Sequence, residues 1–179
     1  MKLAPGDLAP TLAVTTLRGA RVQVPDDGAR FVHLQFRRFA GCPVCNLHLH
    51  RFGERRTEIE AQGIRELVFF HSSREELLEF QSRLPFDAVA DPDKTNYRQF
   101  GVETSLLAPL HPSVLWNGLR GVLTMGRIYR KAENGILGLP ADFLVDRAGR
   151  VVACRYGAHA DDQWEVDELL RLADQLSAV

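Results

Sequence analysis

Residues 36–52, FRRFAGCPVCNLHLHRF, place Cys42, Cys45, His48 and His50 within nine positions. Cysteine and histidine at this spacing suit metal binding, haem attachment or thiol redox exchange. Haem is excluded, because its attachment signal needs histidine directly after the second cysteine, and this chain has Asn46 there. Zinc takes four ligands, commonly from two separated pairs. His48 follows Cys45 by one helical turn and can approach it, yet no second cysteine or histidine pair lies downstream. His50 points about a third of a turn away from Cys45, toward a helix surface. An inert pair stays open as well, since free cysteine is often simply a small core residue.

The redox reading rests on where the cysteines sit. FVHLQF (31–36) is mostly apolar on both faces, as a central strand is, and it runs through RRFAG straight into Cys42. Pro43 suits the first position of a helix. Cys42 therefore falls where a strand meets a helix, facing unpaired backbone N–H groups and the positive end of the helix dipole. Arg37 and Arg38 add positive potential just upstream. Such surroundings lower a thiol pKa from about 8.5 to between roughly 3.5 and 7.5. Cys45 lies one turn further on, less exposed, with its sulfur in reach of Cys42. The pair has the outline of a nucleophile and a resolving partner.

The elements that must hold this pair read as α/β. TLAVTTL and RVQV, joined through LRGA, form an N-terminal β-hairpin. After the central strand, a helix is predicted from about Pro43 to Gln62, weakened at Gly53 and ended by Gly63. IRELVFF (64–70) is a second apolar strand. Ser73 and Glu76 have capping-box spacing and open a short helix through Arg83. FDAVAD is a third strand, and PDKTNYRQFG a helix closed by Gly101. DFLVD and RVVACRY flank RAG as a C-terminal hairpin. Asp161 and Asp162 begin a last helix, with Val166, Leu169, Leu170, Ala173 and Leu176 at helical spacing. This order implies a central mixed β-sheet flanked by helices. Residues 1–179 make one domain, with an insertion at about 102–137.

Composition narrows the partners. A net charge of −1 gives no reason to expect nucleic acid or an anionic membrane surface. Pro109, His111, Pro112, Asn117, Arg120 and Arg127 interrupt the longest apolar region, so no membrane span is expected. The start, MKLAPGDLAPTLAV, lacks a secretory pattern, and three cysteines are too few for a disulfide scaffold. The expected location is the cytoplasm.

Gly41-Cys42-Pro43-Val44-Cys45 after a strand, with Gly138-Leu139-Pro140-Ala141-Asp142-Phe143-Leu144-Val145-Asp146, resembles the thioredoxin superfamily. The element order and PGDLAPTLAV are similar, more closely, to the peroxiredoxin-like branch of the alkyl hydroperoxide reductase and thiol-specific antioxidant family. The resemblance runs from about residue 3 to 176 and implies a thioredoxin-like fold. It places Cys42 at the peroxidatic position, Cys45 at a resolving position and Pro140 at the superfamily's cis-proline. It implies no cofactor. Gln35 and Phe39 stand where typical peroxiredoxins carry Pro and Thr, and Pro140 stands where they carry the peroxide-polarising Arg. Arg37 or Arg38 is then the substitute guanidinium. Phe36 and Gly41 replace the buried acid and the Trp of thioredoxins.

Further residues have candidate roles. His71 ends IRELVFF at the sheet edge where the cysteine helix begins, and it could take a proton from Cys45. Asp142, beside Pro140, is a second proton-shuttle candidate. His33 reads as a hydrogen-bonded core residue, and Cys154 as a small buried hydrophobe. Trp116 and its apolar neighbours, with Arg120, Arg127, Arg130 and Lys131, suggest extra helices, a homodimer surface or a lid over the cysteines.

The expected activity is hydroperoxide reduction. Cys42 thiolate becomes sulfenic acid, Cys45 condenses with it, and a thioredoxin- or glutaredoxin-type dithiol reduces the resulting disulfide. The alternative is a protein-disulfide reductase using the same pair. The third reading is a domain in which the pair holds zinc or is inert.

Overall fold

The protein is described by a computed structural model covering residues 1–102, 116, 134, 135 and 137–176. Its centre is β3 (Phe31–Arg37), whose seven residues are all buried. Parallel β4 (Ile64–Phe70) lies on one side and antiparallel β6 (Ala141–Asp146) on the other. β5 (Asp87–Ala90) and β7 (Val151–Tyr156) complete the order β5-β4-β3-β6-β7. β1 (Leu12–Thr15) and β2 (Arg21–Val24) form a separate antiparallel hairpin. This is the mixed sheet and N-terminal hairpin that the sequence pattern implies.

Alternation along β3 divides the core in two. Val32, Leu34 and Phe36 face a cluster with Phe69, Phe143, the hairpin residues Leu12, Val22 and Val24, and Tyr97 of α4 (Thr95–Gln99). Phe36 stacks on Phe69 at 4.9 Å and meets Tyr97 edge-on at 5.0 Å. The opposite face packs Leu49 and Phe52 of α1 (Pro43–Glu54), Ile59 of α2 (Arg56–Ala61), Leu77 of α3 (Arg74–Gln81) and Leu169 of α5 (Val166–Gln175).

Two boundaries differ from the sequence reading. The single helix expected over 43–62 is broken at Arg55, where φ is −109° and ψ 18°. Gly53 lowers helix propensity just before the break. The Arg55 guanidinium is held by Glu58 and, at 2.5 Å, by Asp167 of α5. Gly63 then ends α2 with φ +69°, a conformation that costs glycine nothing. The last helix begins at Val166 rather than at Asp161 or Asp162. Those aspartates sit in a turn, where Asp162 Oδ2 accepts the Ala158 N–H at 2.8 Å. The Ser73 cap is as expected, its Oγ accepting the Glu76 N–H at 3.3 Å.

The segment around Arg120, Arg127, Arg130 and Lys131, expected to be an insertion with a dimer or lid role, lies outside the described residues. Trp116 is exposed. Among the described residues, no helix is long and apolar enough to cross a membrane.

Candidate active site

Cys42 is the N-cap of α1, with extended backbone and Pro43 as the first helical residue. The approach loop is pinned on both sides. Ala40 N–H donates to Ser72 Oγ at 3.0 Å, and Gln81 Nε2 donates to the Ala40 carbonyl at 2.6 Å. The helix start then aims its free amides at sulfur: Cys45 N–H donates to Cys42 Sγ at 3.5 Å. Arg38 Nη1 lies 3.8 Å from the same atom. Both cysteines are reduced and buried, packed with Phe39, Val44 and Ala160.

These contacts set the two thiols apart. Burial opposes ionisation of Cys42, but the Cys45 thiol, the Arg38 charge and the Cys45 and Val44 amides outweigh it and bring the pKa down to about 6. Cys45 moves the other way, raised by burial and by the Cys42 thiolate beside it. At neutral pH the site therefore holds one thiolate and one thiol one turn apart. That is the arrangement of an attacking sulfur and its resolving partner.

The two arginines separate. Arg37 continues the alternation of His33 and Gln35 and turns toward the α1 face, fully buried. Its Nη2 donates to Asp142 Oδ1 at 2.7 Å and to Gln35 Oε1 at 2.6 Å. His33 donates from Nδ1 to Glu66 at 2.9 Å and from Nε2 to Asp142 at 3.2 Å. Gln35 Nε2 donates to Glu66 as well. Burial works against charge on His33, yet Glu66 and Asp142 raise it to about 9. Asp142 shifts below the carboxylate range despite its burial, held there by Arg37 and His33. Two cations and two carboxylates thus neutralise one another inside the sheet. His33, expected as a hydrogen-bonded core residue, is one of them.

Asp142 is correspondingly occupied, since its second oxygen accepts the Trp164 N–H at 3.2 Å. Among the described residues Asp142 bonds to Arg37, His33 and Trp164 and not to a cysteine, which is an anchoring arrangement rather than a shuttle. His48 Nε2 donates to the Trp164 carbonyl at 2.7 Å. Burial, then Arg37, takes its pKa to about 3. The ring is committed to the segment after β7 and not turned to sulfur. His50 is exposed on the helix surface, 3.7 Å from Glu54. Cys154 is half-buried, its Sγ donating to the Leu3 carbonyl at 3.5 Å, and burial raises its pKa.

Pro140 is buried immediately before β6, and its carbonyl accepts the Gly157 N–H at 2.9 Å. The cis bond expected before it is absent; among the described residues the cis bond is Val24–Pro25. A trans X–Pro bond is favoured by about 0.5–1 kcal/mol, and the Pro140 carbonyl is already engaged by Gly157 in that geometry. His71 leaves β4 beside Arg38, because Arg37 and Phe70 are register partners in β3 and β4. Sequence reasoning missed the Glu66–Gln35–Arg37–Asp142 linkage and the segment carrying Ala160 and Trp164. The polar triplet His33, Gln35, Arg37 on one face of a buried strand was the available signal for the first.

A cleft of about 410 Å³ opens at the far end of the sheet, lined by Arg18, Arg56, Glu60, Arg65 and Asp87. It contains neither cysteine and lies apart from the thiol chemistry.

An activated thiolate at a helix start, a second thiol one turn on and a β5-β4-β3-β6-β7 sheet define a thioredoxin-like, thiol-based redox enzyme. The chain belongs to the AhpC/TSA family, whose model matches residues 5–154. Among solved structures it is similar to the reduced 2-Cys peroxiredoxin of Plasmodium vivax, at 14% identity and TM-score 0.69, covering 98% of this chain and 83% of that one. It is similar also to peroxidoxin BcpB of Mycobacterium tuberculosis, at 15% identity and TM-score 0.68, covering 99% and 98%. A protein assigned as the thiol:disulfide interchange protein DsbE of Chlorobium tepidum gives 20% identity and TM-score 0.64, covering 96% and 99%. No curated protein matches the sequence.

Proposed function

We propose that the protein reduces small hydroperoxides through Cys42, with Cys45 as resolving thiol and an external thioredoxin- or glutaredoxin-type dithiol as reductant. The observation that carries this reading is an activated thiolate under near-complete cover. Cys42 is 1% exposed, yet its pKa is drawn down to about 6 with the Arg38 guanidinium beside the sulfur. So small an opening suits a peroxide oxygen better than the disulfide of a folded protein. The Cys42 electron pair forms an S–O bond as the O–O bond breaks, giving sulfenic acid and hydroxide or alkoxide, which takes up a proton. Cys45 sulfur then displaces the sulfenic oxygen as water and leaves a Cys42–Cys45 disulfide. Exchange with the external dithiol restores both thiols.

Disulfide exchange is the second reading. It is favoured by the opposed shifts of the two thiols and by Gln35 and Phe39 at the usual peroxiredoxin Pro and Thr positions. Likeness to the DsbE protein supports it too. The test mixes pre-reduced protein with an equivalent of hydrogen peroxide or of an oxidised protein disulfide. Rapid quenching and mass spectrometry then follow the Cys42–Cys45 bond. Fast bond formation with peroxide, lost in Cys42→Ser, is the expected result. Slow reaction with peroxide beside rapid exchange with the disulfide would replace the first reading by the second.

A further inference from the structure

His71 ends β4 at the edge where Arg38 leaves β3, and its backbone N–H donates to the Arg38 carbonyl at 3.3 Å. The side chain is 1% exposed, and neither ring nitrogen has a hydrogen-bond partner among the described residues. Buried polar atoms in folded proteins are nearly always paired. Two orphan nitrogens on one ring therefore mark a place where a partner arrives.

Three further elements hold the ring there. A Cβ at Gly138 would stand 2.8 Å from His71 Nε2 and 3.8 Å from Arg38 Cγ, so any larger residue would press on the imidazole. The Tyr97 ring meets it edge-on at 5.9 Å. Lys94, the N-cap of α4, bears on it as a second nearby cation. Burial first, then Lys94 and Arg38, lowers its pKa to about 4, so the ring is neutral at physiological pH. Arg38 also reaches Cys42 Sγ at 3.8 Å. One side chain thus borders both the thiolate and the unpartnered imidazole.

We infer that His71 is a substrate-contacting catalytic residue whose imidazole N–H holds the oxygen that departs when Cys42 attacks a hydroperoxide. The inference rests on the peroxidase reading above. As sulfur is oxidised to sulfenic acid, the electron pair of the broken O–O bond collects on the departing oxygen as hydroxide or alkoxide. A fixed N–H donor next to the strand end that carries Arg38 stabilises that charge where it develops, and the oxygen takes its proton from water on release. A neutral imidazole supplies one donor and one acceptor without adding a third cation beside Arg38 and Lys94.

His71→Leu removes the donor without stranding a buried polar group, so folding is retained. His71→Gln keeps an N–H. Each is compared with the wild type in single-turnover reaction with hydrogen peroxide and in alkylation by iodoacetamide, which needs the thiolate but has no departing peroxide oxygen. The leucine variant is expected to lose about 10²-fold in the peroxide rate, with glutamine recovering part of it and alkylation unchanged in both. A parallel fall in both reactions would reduce His71 to a structural role. An unchanged peroxide rate in the leucine variant would overturn the inference while leaving the peroxidase reading intact. A wild type that reacts slowly with peroxide would remove both.

Discussion

Arg37 and Arg38 differ by one position, and strand alternation sends them to different tasks. Arg37 turns into the buried network, whereas Arg38 passes the strand end and reaches Cys42. Arg38→Met keeps the length and removes the charge. Its expected effect is a Cys42 pKa raised from about 6 toward the ordinary thiol range, while the amides of Val44 and Cys45 continue to favour thiolate. Each unit of that rise costs up to tenfold in thiolate at a fixed pH below the new value, and alkylation near pH 7 should slow by about that factor. The pH dependence of alkylation, with the ultraviolet absorbance of the thiolate, checks this; a profile identical to the wild type would assign the low pKa to the Cys45 thiol and the helix amides without Arg38. The sequence pointed to both arginines, because positive charge before a cysteine is visible. It could not divide them, because the division depends on where β3 ends.

Among the elements, β3, β4 and β6 are joined by more than their ladders. The chain Glu66–His33–Asp142–Arg37 crosses all three strands in the core. A His33 pKa raised to about 9, from about 6.5 in an unfolded chain, contributes stability that is complete below the lower value. That contribution is lost as pH rises through about 9. Asp142, shifted downward, has the opposite sign: its contribution is present above the ordinary carboxylate pKa and disappears as pH falls into the acid range. The His33 share of the unfolding midpoint in urea should therefore fall from about pH 6.5 toward 9. Cys42 opposes it over that range, because its low folded pKa adds stability as pH rises. His48 and His71, held neutral in the fold, cost stability below about 6.5. Carbon-13 chemical shifts should show His33 still protonated at pH 8, and titration near 6.5 would remove this account. Arg37→Met leaves Asp142 short of a buried partner and is expected to cost about 3–5 kcal/mol. The polar face of β3 was legible as alternation, but its partners were not. Glu66 and Asp142 come from other strands, and pairing register is a long-range property that one sequence does not print. The break at Arg55 escaped for the same reason, since it depends on Asp167 of a helix more than a hundred residues away.

For the molecule as a whole, the α/β architecture was readable from alternating apolar runs, turn residues and the Ser73 cap, all local signals. The cover over the cysteines was not. Asp161 and Asp162 look like a helix start, yet residues 157–165 run as an irregular segment that brings Ala160 onto the cysteine cluster. Its anchors, Trp164 N–H on Asp142 and His48 on the Trp164 carbonyl, are tertiary contacts. A charge pattern that suits a helix N-terminus was overridden by the bonds the segment makes to the sheet and α1.

Gly157 begins that segment in a space with no room for a side chain. A Cβ there would lie 2.5 Å from the Asp162 carbonyl oxygen and 2.8 Å from Pro140 Cγ. The contact is partly with backbone, so alanine would have to displace the turn or the proline beneath it. In a saturation library of this chain, selected through survival under peroxide, position 157 should then tolerate replacement as poorly as Cys42. Recovery of Gly157→Ala at its input frequency would instead mean that the turn shifts without consequence. A glycine that touches neither sulfur thus narrows the set of sequences open to the enzyme, and genetic variation would reveal that restriction before any chemistry did.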